Sequence, residues 1–123
     1  MPHADSNRQK SFRRGRRAEW LAMWWLRFKG YRVIARNFKT PVGEIDMVAR
    51  RGRLIAIIEV KIRNSRAEAL SAITPRQQDR IIRATQIFLQ QRPELADSTP
   101  RFDAMFISPG SLPIHIQDAW RLP

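Results

Sequence analysis

A chain of 123 residues is the size of one domain, and 43% apolar residues can build a single core. Lys and Arg number 23 against 11 Asp and Glu, a formal net charge of +12 that points to a polyanionic partner, most simply nucleic acid. The absence of cysteine excludes disulfides, thiolate nucleophiles and Cys-ligated zinc, and His3 and His115 are too few for a His-rich metal site.

Residues 1–11, MPHADSNRQKS, have no periodic apolar pattern and read as a mobile polar and basic tail before one domain over residues 12–123. From Phe12 to Lys29 the spacing predicts a helix, with Ala18, Leu21, Ala22, Trp25 and Phe28 on its apolar stripe and Gly30 as the stop. Trp20, Trp24 and Trp25 are expected in the core rather than as base-stacking platforms. The run WLAMWWL is too short to span a bilayer and has no cleavage site before it, so no membrane partner is expected and the cytoplasm is the expected compartment. Residues 31–38 alternate as a first strand, KTPVG turns, and EIDMVAR and RLIAIIEVKI form two strands joined at Arg51-Gly52. The second is apolar on both faces over Leu54 to Ile58, as a central strand covered by helices on both sides would be.

Residues 63–73 are polar and read as a loop with a helical turn. Thr74 then caps a second helix, with Pro75 at its first position and Gln77 at capping-box spacing. Ile81, Ile82, Thr85, Phe88 and Leu89 make its buried stripe, and Pro93 ends it. RFDAMFI and PIHIQ are two further strands. The expected architecture is α/β: helix, three strands, helix, two strands, with a mixed central sheet flanked by helices.

Glu44, Asp46, Glu59 and Lys61 interrupt the most apolar part of this pattern. With a two-residue turn at Arg51-Gly52, Asp46 faces Ile57 and Glu44 faces Glu59, so all four project from one side of the hairpin. Asp46 and Glu59 are then diagonal neighbours with Cα atoms about 7–8 Å apart. Three carboxylates against one lysine call for compensation. A hard divalent cation, Mg2+ or Mn2+, held by one or two carboxylates with water and substrate phosphate, would supply it. A salt-bridge network at the sheet edge is the competing reading.

Asp46 followed by Glu59-Val60-Lys61 at the end of a buried strand resembles the signature of the PD-(D/E)xK, or restriction-endonuclease-like, nuclease superfamily. The blocks GRRAEWLA, GYRVIARNF, GEIDMVAR, IIEVKIR, AITPRQQ and RFDAMFI together resemble the YraN-like family of uncharacterised bacterial proteins, from about Gly15 to Trp120. The resemblance implies a restriction-endonuclease-like fold in which Asp46, Glu59 and the Val60 carbonyl ligate the metal and Lys61 orients or helps deprotonate the attacking water. It also implies that Glu19 is the helix acid near the metal and that Gln78 touches the site or the phosphate, while Glu44 belongs to its G-E-I-D block without a specified role. Two positions depart from the pattern: Ala18 stands where glycine is frequent, and Gln77, read here as a capping residue, where lysine is usual.

The implied function is metal-dependent hydrolysis of phosphodiester bonds in DNA, selective for structure rather than sequence, giving 5′-phosphate and 3′-hydroxyl ends. Arg13, Arg14, Arg16, Arg17, Arg63 and Arg76 are the expected phosphate contacts, and resolvase-like relatives leave room for a homodimer. A nucleic-acid-binding module of the same fold with little or no cleavage is the alternative, and a basic scaffold protein with a purely structural acidic cluster is a third.

Overall fold

The computed structural model describes residues 2–63 and 65–121, with the side chains of residues 2–14, 66, 69 and 70 left aside. Its elements are α1 (Pro2–Phe28), β1 (Arg32–Lys39), β2 (Glu44–Arg51), β3 (Leu54–Ile62), α2 (Arg66–Ser71), α3 (Pro75–Gln90), a 3-10 turn (Pro93–Leu95), β4 (Thr99–Ile107) and β5 (Ile114–Trp120). The strands form one sheet in the order β1-β2-β3-β4-β5, with β3 and β4 parallel and every other neighbouring pair antiparallel. A parallel pair needs a crossover connection, which α2 and α3 provide between β3 and β4.

Each face of the sheet has its own helix. Ile81, Ile82, Ala84 and Phe88 of α3 close over Ile55, Ile57, Phe102 and Ala104. On the opposite face, Ala18, Ala22 and Leu26 of α1 close over Met47, Ala49, Ala56, Ile58 and Met105. The central strand β3 is thus buried on both sides, as its unbroken apolar run requires. Thr74 caps α3, its hydroxyl accepting the Gln77 backbone N–H at 3.2 Å, and Pro75 occupies the first helical position.

The structure corrects four expectations. Helix α1 begins at Pro2 rather than Phe12. Proline is well placed at a first helical position, and Ala4, Arg8, Gln9 and Lys10 after it are good helix formers that make no apolar stripe. The side of α1 that meets the sheet is narrow, built on Ala18, Ala22 and Leu26. Leu21, Trp20, Trp24 and Phe28 therefore lie exposed, and of the three tryptophans only Trp25 packs partly against the core.

The β2–β3 turn falls on Gly52-Arg53, so Arg51 faces Leu54 and Met47 faces Ile58. Gly52 has φ 63°, suiting a first turn position that glycine occupies at little steric cost. This register differs from the expected one by two residues, which keeps the paired residues Met47–Arg51 and Leu54–Ile58 on their expected faces. Finally, β5 runs on to Trp120, bending at Asp118 with φ 54°.

Candidate metal and phosphate site

The ladder between β2 and β3 is paired as far as Met47 and Ile58, so Asp46 and Glu59 are the next positions, side by side rather than diagonal. Glu44, expected opposite Glu59, is instead exposed and pairs with Lys39 at the start of β2. Where the ladder stops, the side chain of Asp46 continues it: Oδ2 accepts the Val60 backbone N–H at 2.8 Å. Asn37 of β1, with φ 50°, lies nearby in the neighbouring strand, where regular alternation fails. Arg36 faces Glu19 of α1, whereas Phe38 and Ile45 belong to the α3 core. At this twist Asp46 opens toward both faces of the sheet.

Glu59 is only 6% exposed. Its Oε1 accepts the Gln77 amide at 2.9 Å and lies 3.4 Å from the Lys61 ammonium. Gln77 therefore does two jobs: its backbone N–H is capped by Thr74, while its side chain crosses to Glu59 instead of closing a capping box. Gln78, the glutamine expected at the site, donates to the Ile73 carbonyl at 3.1 Å and points away from the carboxylates. The one-residue offset is about 100° around the helix. Capping spacing was the signal for Gln77, since side chains in a first helical turn point back toward the helix start, where β3 ends.

The pair is reached from both sides. An opening of about 480 Å³ on the α3 side is lined by Glu44, Asp46, Glu59, Gln77, Arg80 and the β1–β2 turn. Thr40 holds that turn, its hydroxyl oxygen accepting the Gly43 N–H at 3.0 Å. Gly43 passes so close to α3 that a Cβ there would lie 2.4 Å from the Arg80 carbonyl oxygen, so glycine is required by the contact. A smaller opening of about 240 Å³ on the α1 side is lined by Glu19, Asp46, Glu59, Val60 and Lys61. Glu19 is held at its rim by Asn37, whose amide donates at 3.2 Å, and by Arg36 at 3.8 Å.

Burial is the main cause that raises both carboxylates, Asp46 to about 6 and Glu59 to about 8. Their mutual repulsion adds to Glu59, whereas the Val60 N–H and Lys61 pull Asp46 back. In the folded chain these groups bind protons more tightly than in the unfolded chain, so the pair costs nothing below about pH 4 and its full penalty above about pH 8. With chelator present, wild type and Glu59→Gln should therefore match in denaturant stability near pH 4.5, and the variant should become the more stable as pH rises to 8.5. A gap that is constant with pH would show that the carboxylate is not destabilised by burial.

The donor set fits a hard divalent cation. The recorded hydrogen bonds use Oδ2 of Asp46 and Oε1 of Glu59, and among the described residues the second oxygen of each accepts none. Val60, whose carbonyl is the third implied oxygen, lines the α1-side opening with them. No group of three or more His, Cys, Asp or Glu side chains able to hold a metal occurs among the described residues, so a cation here would rest on two carboxylates. That suits magnesium or manganese, which retain water and share substrate phosphate, and does not suit structural zinc.

Of the expected phosphate contacts, Arg16 and Arg17 are exposed on α1, Arg76 in the first turn of α3, and Arg63 just beyond β3. The side chains of Arg13 and Arg14 lie outside the described residues. No helix among the described residues is long and apolar enough to cross a membrane.

A second polar cluster lies under α1, away from the carboxylate pair. Asp103, fully buried, accepts both arms of Arg101 at 2.8 and 2.7 Å, His115 Nε2 at 2.7 Å and the Asp118 N–H at 2.9 Å. Arg101 also donates to the Tyr31 hydroxyl, and Lys29 Nζ lies 2.8 Å from His115 Nδ1. These bonds hold Asp103 below the usual carboxylate range although burial opposes them. This cluster ties the α1–β1 connection to β4 and β5.

The model of a family described as "Uncharacterised protein family UPF0102" matches residues 18–107. Similar chains bear the name UPF0102 protein. One from Rhodopseudomonas palustris (strain BisB18) is 52% identical over 97% of this chain and 89% of its own. One from Paramagnetospirillum magneticum is 48% identical over 93% and 92%, and one from Chelativorans sp. (strain BNC1) 44% identical over the same shares.

Proposed function

The chain belongs to the uncharacterised protein family UPF0102, and from its buried carboxylate pair we propose that it is a metal-dependent nuclease of the restriction-endonuclease-like, PD-(D/E)xK fold class, acting on DNA. The observation that carries this reading is the adjacency of Asp46 and Glu59 at the end of β2 and β3, with Lys61 against Glu59. A protein that needed only a sheet edge would gain nothing from two neighbouring carboxylates that burial destabilises. Functional sites tolerate such strain.

Asp46, Glu59 and the Val60 carbonyl would hold Mg2+ or Mn2+. When bound, the ion supplies Lewis-acid stabilisation of the phosphate and lowers the pKa of water. Gln77 fixes the rotamer of Glu59. Lys61 orients the attacking water and offsets negative charge on the phosphate oxygens. In-line attack forms a bond from the water oxygen to phosphorus and breaks the bond from phosphorus to the 3′ oxygen. The attacking water releases a proton to solvent and the 3′ oxygen leaves with one from solvent, giving 5′-phosphate and 3′-hydroxyl ends. Arg16, Arg17, Arg63 and Arg76 engage phosphates without reading bases, which fits selection by structure.

The test presents single-stranded, flap, four-way-junction and duplex DNA, and structured RNA, in Mg2+ and then Mn2+. At least one substrate should be cut, with chelator and Glu59→Ala abolishing the cut and Lys61→Ala slowing it about 10²-fold or more while DNA binding persists. Tight binding without any cutting would favour a nucleic-acid-binding module on the same fold. Cutting that survives both variants would remove this site from the reaction.

A further inference from the structure

Resting on the nucleic-acid reading above, we propose that the outer face of α1 is a stacking platform for single-stranded nucleic acid. Trp20 and Trp24 receive bases, and Arg17 and Arg27 receive the backbone. Trp20 is 53% exposed, Trp24 47% and Phe28 85%, a contiguous aromatic surface on a helix whose other side is already buried. Contiguous exposed apolar surface marks an interaction site more often than scattered side chains do.

Arg17, Trp20, Trp24 and Arg27 follow at steps of three or four residues and so share one strip of the helix. The two indoles meet edge-to-face at 5.7 Å, and the Arg27 guanidinium lies 5.1 Å from the Trp24 ring centroid. Four residues of helix rise about 6 Å, so successive rings along the strip are separated by more than a stacked base step. Each ring can therefore take the face of a different, unstacked base, an option that a duplex does not offer.

Charge decides the occupant. A self-association seam would bring Arg17 and Arg27 of both copies together without acidic partners, whereas on a polyanion the two arginines that bracket the aromatic pair each meet a phosphate. The neighbouring carboxylate, Glu19, lies about 100° round the helix from Trp20 and is turned to Asn37 and Arg36. An aromatic pair bracketed by guanidinium groups matches bases and phosphates. The strip also has a direction. Glu19, about 100° round the helix from Trp20, lines the α1-side opening to Asp46, Glu59 and Lys61, so a strand that leaves the platform over the flank of α1 reaches the carboxylate pair.

The test measures binding of the full chain, in chelator, to a labelled single-stranded oligothymidylate and to a duplex. The oligothymidylate should quench tryptophan fluorescence. Trp20→Ala/Trp24→Ala should lose about tenfold or more in single-strand affinity, with the duplex much less affected and the salt slope unchanged. Trp20→Phe/Trp24→Phe should recover most of that loss. Arg17→Gln/Arg27→Gln should instead lower the salt slope by about 0.7 per arginine.

Unchanged single-strand affinity in the alanine variant would overturn the proposal. So would a wild-type dimer that this variant dissociates with nucleic-acid affinity intact, or quenching by phosphatidylglycerol vesicles but not by the oligonucleotide. Because no cleavage is read, the outcome is separate from that of the nuclease reading. A chain that cuts but binds equally without its tryptophans keeps the nuclease and loses the platform.

Discussion

Asp103→Ala should destabilise the protein by about 3–5 kcal/mol, the largest stability effect expected of any single polar substitution here. The carboxylate is fully buried and accepts four hydrogen bonds, from Arg101 twice, His115 and the Asp118 backbone. Removing it leaves the largely buried Arg101 guanidinium and a buried imidazole facing one another without the anion that holds both. It also frees the left-handed Asp118, around which β5 bends. Urea denaturation checks this: the midpoint should fall sharply with the slope unchanged. A loss below about 1 kcal/mol would show that the cluster is loosely held and that β5 is anchored elsewhere.

The second large effect is on chemistry, and it separates two neighbours. Lys61→Ala should reduce the cleavage rate about 10²–10⁴-fold, the range lost when a positioned proton-handling or charge-stabilising group is removed. It should leave the cation site able to bind, because all three implied ligands remain. Glu59→Gln should lose both cleavage and cation binding, yet keep or gain stability at pH 8, since the amide still accepts from Gln77 and carries no buried charge. Comparable loss of cation binding in both variants would mean that Lys61 belongs to the ligand scaffold rather than to the reacting water.

Much of this architecture is legible in the residues. The capped start of α3 at Thr74-Pro75 is written in local chemistry, and β3 declares its central position by being apolar on both faces. The shared face of Asp46, Glu59 and Lys61 follows from strand alternation, which an error of two residues in the turn does not disturb. Other features depend on tertiary detail. Whether Gln77 or Gln78 reaches Glu59 turns on one residue of helix phase. The outward tryptophans of α1 share a helical period with the core residues, so periodicity alone cannot say which stripe meets the sheet. Asn37 and Asp118 adopt left-handed conformations and each bonds outside its own strand, to Glu19 and to Asp103, and they coincide with the changed faces of β1 and the bent path of β5.

The most direct test of the central claim, that Asp46 and Glu59 form a divalent-cation site, is the thermal melting of wild type and Asp46→Asn at pH 8 with and without millimolar Mn2+ or Mg2+. A ligand that binds only the folded state raises the melting temperature by mass action. Wild type should gain several degrees, because the cation relieves two carboxylates that burial otherwise keeps unfavourable, and the gain should shrink toward pH 5 as protons compete. Asp46→Asn should show no gain. An equal shift in both proteins, or none in the wild type, would contradict the account.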